Sequence, residues 1–176
     1  MVASSQWAKE GRGWGEAGRT PWVPEDIASM SIGQMVVQVT PIQIAKAYAA
    51  IANGGYLVTP HLTKKDEEFL LDQSRLKLDI DPENIRVIKN GLRKVVESGT
   101  GVDINIGVTN FPPVSGKTGT AEDWKTGLDH AWFVCFTPSD KSELLVVAFA
   151  QNTPGGGSVH ALPMAKKILK VWNENN

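Results

Sequence analysis

The chain has 176 residues with 18 basic and 19 acidic side chains, a net charge of −1, so no bulk field draws it to nucleic acid or an anionic membrane. Hydrophobic residues make up 41% and charged residues 21%, which excludes a disordered chain and supplies enough apolar material for a core. One cysteine, Cys135, excludes an internal disulfide framework and a multi-cysteine zinc site; His61, His130 and His160 lie too far apart for helical metal spacing, so no metal and no cofactor is expected.

Residues 1–26 are rich in glycine, tryptophan and charge without a steady period, and read as an irregular lead-in loop that joins a domain midway. The first residues lack the cationic and then apolar run of a signal peptide. The uncharged stretches Ile27–Ala45 and Ala47–Thr63 contain Gln34, Gln38, Pro41, Asn53 and Pro60, too polar for a membrane span. Thr40-Pro41 predicts a helix start, a hydroxyl cap followed by proline at the first turn. Ile44, Ala47, Tyr48 and Ile51 form its predicted core face, and Asn53-Gly54-Gly55 ends it. A short strand follows at Tyr56–Val58, then a charged, exposed excursion over 63–82. Pro82-Glu83 opens a second helix with Ile85, Ile88, Leu92, Val95 and Val96 inward, stopped at Gly99. Residues 99–113 read as loop. Strands are predicted at Val114–Glu122, Trp132–Phe136 and Leu144–Ala150, with a hairpin loop at Thr137–Lys141. After the break at Gly155-Gly156-Gly157, a last helix presents Ala161, Ala165, Ile168, Val171 and Trp172 on one face. Helices, a strand meander and a closing helix, without βαβ rhythm, predict an α/β (α+β) fold in which helices flank an antiparallel sheet.

The sharpest chemical signal is Ser115-Gly116-Lys117-Thr118-Gly119-Thr120. A phosphate-binding loop would need glycine at 111, where Phe111 stands, and a dinucleotide fingerprint starting at Gly99 and Gly101 meets Ile104 at its third glycine. Lys-Thr-Gly is also an element of penicillin-recognising serine acyltransferases. On an exposed strand edge, a lysine beside two hydroxyls offers one positive charge and two donors to a carboxylate, while glycine leaves room for an acyl chain. A backbone N–H of the same strand can face a developing oxyanion. The bland reading is a polar turn; chance alone gives Lys-Thr-Gly-Thr roughly 0.005 times in a chain of this composition.

Context extends the match. Ser31-Ile32-Gly33-Gln34, Val39 to Ala45, Ala47 to Gly55, Ser98-Gly99-Thr100-Gly101, Ser115 to Glu122 and His130 to Val134 occur in one order. In these segments the chain resembles the second half of the transpeptidase domain of class B penicillin-binding proteins, the elongation-type penicillin-binding protein 2 group in particular. Met35 and Cys135 depart from that pattern, where glycine and a small residue are more usual.

The resemblance implies a penicillin-recognising serine transpeptidase fold, β-lactamase-like and present as a partial domain, with residues 1–176 as its C-terminal part. It implies peptidoglycan D,D-transpeptidation, with the D-alanyl-D-alanine stem peptide as substrate and β-lactam antibiotics as mimics of it. Lys117 would polarise the site. Thr118 and Thr120 would bind the carboxylate, Gly119 would allow close approach, and the Thr120 N–H would donate to the oxyanion. The serine nucleophile, its Ser-x-x-Lys base and a Ser-x-Asn element would lie in a missing N-terminal half, a further partner of this chain. The expected location is the periplasmic face of the bacterial inner membrane, with the anchor outside this chain. Ser74 and Lys77 form one Ser-x-x-Lys, but roughly 0.7 such matches arise by chance, and the family order places the nucleophile well upstream of Lys117. Two alternatives stand beside this reading. The chain could be an inert fragment or split half, active only with its complement, or a sensor or β-lactamase relative. The remaining conspicuous residues have bland defaults: Cys135 a core thiol, His130 a structural histidine, Glu122 and Asp123 solvated charge, Trp132 and Trp172 packing anchors, and Trp124 an optional substrate platform.

Overall fold

The computed structural model describes residues 24–34, 39–62, 76–105, 111–123 and 125–175. The chain forms two compact units, Met1–Thr40 and Pro41–Asn176. In the first, helix α1 (Pro24–Ser31) begins within the predicted lead-in loop and is ended by Gly33, whose φ of 77° suits a residue without a Cβ.

The second unit begins with α2 (Pro41–Ala52), closed by a turn in which the Gly55 amide donates to Ala50 O at 2.7 Å. Gly54 and Gly55 both adopt positive φ there. Strand β1 (Tyr56–Leu57) pairs antiparallel with β2 (Leu76–Lys77), and the Lys77 ammonium donates to Gly54 O. Helix α3 (Pro82–Ser98) starts on Asp81, whose carboxylate accepts from the Glu83 amide at 2.8 Å. A short 3-10 turn, Val102–Asn105, buries Ile104 inside the stretch read as loop.

The predicted meander is present and longer than the sequence suggested: β3 (Ser115–Asp123), β4 (Leu128–Thr137) and β5 (Leu144–Thr153) form an antiparallel sheet in the order β3-β4-β5. Helix α4 (Ala161–Glu174) closes the unit. Directly opposed residues share a face, so the register assigns every side chain to a side. Ala131, Phe133 and Cys135 of β4 lie beside Val146 and Ala148 of β5 in the main core, covered by Leu162, Ala165 and Leu169 of α4 and by Val96 and Ile104. On the other face, Phe136 packs with Ala52, Leu92, Tyr48 and Ile51.

Three predicted helix faces are corrected in part. Ala47 of α2 and Ile88 of α3 point to solvent. In α4, Ile168 and Val171 are exposed, and Leu162 and Leu169 take the core positions beside Ala161 and Ala165. This helix is apolar on more than one side, and spacing alone does not choose between sides. Alanines on the stripe that carries the two leucines let α4 approach the sheet, and that decides the packing.

Candidate active site

The Lys117–Thr120 segment lies on β3, which among the described residues has one strand neighbour, β4. Strand alternation divides its side chains between two faces. Gly116, Thr118 and Thr120 stand opposite Cys135, Phe133 and Ala131, on the core face. Lys117 and Gly119 stand opposite Val134 and Trp132, on the other. Lysine and hydroxyls therefore flank the strand from two sides rather than sharing one.

Each polar group has a defined setting. The exposed Lys117 ammonium donates to Thr118 O at 2.6 Å. The Thr118 hydroxyl meets the Thr100 hydroxyl at 2.6 Å. Thr120 Oγ1 accepts from the Gly157 amide at 3.4 Å. Two glycines of the break, Gly156 and Gly157, have a steric cause: a Cβ on Gly156 would run into the Thr120 side chain, and one on Gly157 into the backbone of Gly119 and Trp132. Gly116 is equally confined, because a Cβ there would come within 2.7 Å of Val134 O and 3.0 Å of Cys135 Cβ. Beside Gly119 the neighbour is Trp132, whose Cβ would be 3.3 Å from an added Cβ. The Trp132 ring lies 4.3 Å from that of Phe149, an aromatic floor on the Lys117 face.

The approach to the motif is held by side chains. Pro112 and Pro113 have no amide to give. Their carbonyls accept from the Thr137 hydroxyl, and Pro113 O also accepts from the Ser139 hydroxyl and amide, at 2.9 and 2.8 Å. Buried Ser115 donates to Ser139 Oγ, and Arg93 donates to Val114 O.

Cys135 is fully buried and free, and its desolvation pushes the thiol pKa up to about 12, so the thiol is a packing group. His130 Nδ1 accepts from the Asn152 amide, and its ring packs edge-on against Phe149. Asp123 closes the β3–β4 turn by accepting from the Lys125 amide, while Glu122 is exposed. Ser74 and Trp124 lie outside the described residues. Among the described residues no cluster of His, Cys, Asp and Glu could hold a metal, and no helix is long and apolar enough to cross a membrane. The sequence reading gave no role to Thr100 or to Trp132 beside the motif. Counting back through the β3–β4 turn would have placed Trp132 opposite Gly119; nothing in spacing joins Thr100 to Thr118.

The chain matches the family described as the penicillin binding protein transpeptidase domain over residues 7–170. It is 34% identical over 174 residues to the peptidoglycan D,D-transpeptidase MrdA of Haemophilus influenzae, covering 88% of this chain and 27% of that protein. Penicillin-binding protein 3 of Bacillus subtilis is 35% identical over 147 residues, covering 80% and 21%. The solved structure of Pseudomonas aeruginosa PBP2 in complex with WCK 5153 superposes with a TM-score of 0.74 at 29% identity, over 98% of this chain and 38% of that one. The chain thus spans about a quarter of the length of such curated relatives. The expected mixed fold, an antiparallel sheet flanked by helices, is the fold of those structures. By sequence and by fold, this chain belongs to the penicillin-binding protein transpeptidase domain family.

Proposed function

We propose that this chain is the substrate-holding part of a peptidoglycan D,D-transpeptidase, completed by a preceding half that carries the serine nucleophile. The observation that carries this reading is the motif strand itself: an exposed ammonium and a glycine on one face of β3, and two hydroxyls on the other. A peptide laid along that strand meets a cation, two hydroxyl groups and backbone N–H groups. These are the groups required by a chain ending in a carboxylate with a reactive carbonyl one residue earlier.

The chemistry follows in two steps. The serine oxygen of the other half attacks the penultimate D-alanine carbonyl, its proton passing to the base lysine of that half. The C–N bond then breaks, and terminal D-alanine leaves with the proton. An amine of a neighbouring strand attacks the resulting ester, restores the serine and forms the cross-link. Lys117 lowers the energy of negative charge at this centre. Thr118 and Thr120 hold the carboxylate, Gly119 admits the substrate, and the Thr120 N–H donates to the oxyanion. β-Lactams enter by the same contacts. The enzyme works on the extracytoplasmic face of the bacterial inner membrane.

The test is labelling by a fluorescent penicillin. The chain alone is expected to stay unlabelled. Joined in frame to the preceding half of a relative such as the Haemophilus influenzae MrdA, it is expected to label, and Lys117→Ala is expected to slow labelling on the order of a hundredfold. An unlabelled joined domain overturns the proposal. Stoichiometric labelling of the isolated chain would place a nucleophile here and reinstate Ser74.

A further inference from the structure

We infer that Thr100 is a positioning residue that sets the donor direction of the Thr118 hydroxyl. The inference rests on the carboxylate role proposed for Thr118. The two oxygens are 2.6 Å apart, and geometry alone allows either to donate. Each threonine hydroxyl has a single proton and two lone pairs. If Thr118 donates to Thr100, it has no proton left for a carboxylate. A carboxylate-binding Thr118 must therefore accept from Thr100, which turns its own proton away from that contact. A hydroxyl that accepts one hydrogen bond is also a stronger donor in the next.

The loop around Thr100 is built to hold this contact. The amides of Gly99 and Gly101 both donate to the same carbonyl, Val95 O, at 3.1 and 3.0 Å. A Cβ on Gly99 would press on Val95 Cα at 2.9 Å, so the chain hugs the end of α3 where only glycine fits. Gly101 rests against Val95 and the Phe133 ring, and Phe133 is the register partner of Thr118. The 3-10 turn that follows is anchored by buried Ile104 in the main core. Between two close-packed glycines, Thr100 is the one side chain of this turn aimed at the motif strand.

The experiment uses the joined domain and two ligands, benzylpenicillin and its methyl ester, which lacks the free carboxylate. Thr100→Val is expected to lower the second-order rate of acylation by benzylpenicillin about fivefold, with acylation by the ester changed by less than about twofold. Thr100→Ser, which keeps the hydroxyl, is expected to match the parent on both ligands. In a Thr118→Val background, Thr100→Val is expected to add nothing further. An equal loss on both ligands, a loss in Thr100→Ser as large as in Thr100→Val, or no loss at all overturns the positioning role while leaving the transpeptidase reading intact. A parent domain acylated by neither ligand overturns that reading, and the role of Thr100 with it.

Discussion

Cys135 occupies the middle of β4 opposite Gly116, where the main core meets the motif strand. Its thiol pKa is raised from 9.0 to about 12 because the surrounding apolar side chains cannot solvate a thiolate. The sign of the consequence is fixed by linkage. The folded state holds the proton more tightly than the unfolded state, so this stabilisation is complete below about pH 9 and is lost as pH rises toward about 12. A thiol reagent at pH 8 is therefore expected to leave the native protein unmodified and to react stoichiometrically in denaturant; rapid native-state modification would contradict the burial. The sequence was legible at this residue, because an apolar strand on both sides of a lone cysteine leaves packing as its role. It was not legible at Thr100, since that contact depends on how the end of α3 meets β3, and the two residues lie 18 apart in the chain.

At the scale of elements, the boundaries that carry local chemistry were readable. Asn53-Gly54-Gly55 ends α2 and Pro82 opens α3, because capping and positive φ are written in single residues. The Asp81 carboxylate caps α3, one acceptor for one orphan amide, so Asp81→Ala is expected to cost about 1 kcal/mol of unfolding free energy, read from a lowered denaturant midpoint. On the first turn, the Arg86 guanidinium hydrogen-bonds Glu83 and holds its carboxyl below the usual value. That small support exists above the ordinary carboxylate range and fades as pH falls through the depressed value. Faces were less legible than ends. Helix α4 offers Met164, Ile168 and Val171 on one stripe and Leu162, Ala165 and Leu169 on another, and only the shape of the sheet selects the second.

For the molecule as a whole, the meander and closing helix followed from composition, since β-branched and aromatic runs separated by a proline turn can hardly be arranged otherwise. That Lys117 and the two hydroxyls face opposite sides follows from strand alternation alone; which side meets the core did not follow, because it depends on the β3–β4 register. An unusual seam adjoins the end where that register begins. At Pro112 and Pro113 the chain offers carbonyls only, and Thr137 at the end of the adjoining strand and Ser139 just beyond it close on them. In hydrogen exchange this seam has no amide signal of its own at the prolines. Its opening is instead reported by the Ser139 amide, which donates to Pro113 O at 2.8 Å although it lies past the end of β4. Ser139 is expected to exchange as slowly as the interior of β4, so one loop proton measures how often the approach to the motif strand comes loose; exchange at the rate of a free loop amide would show that the strand is aligned from its other end.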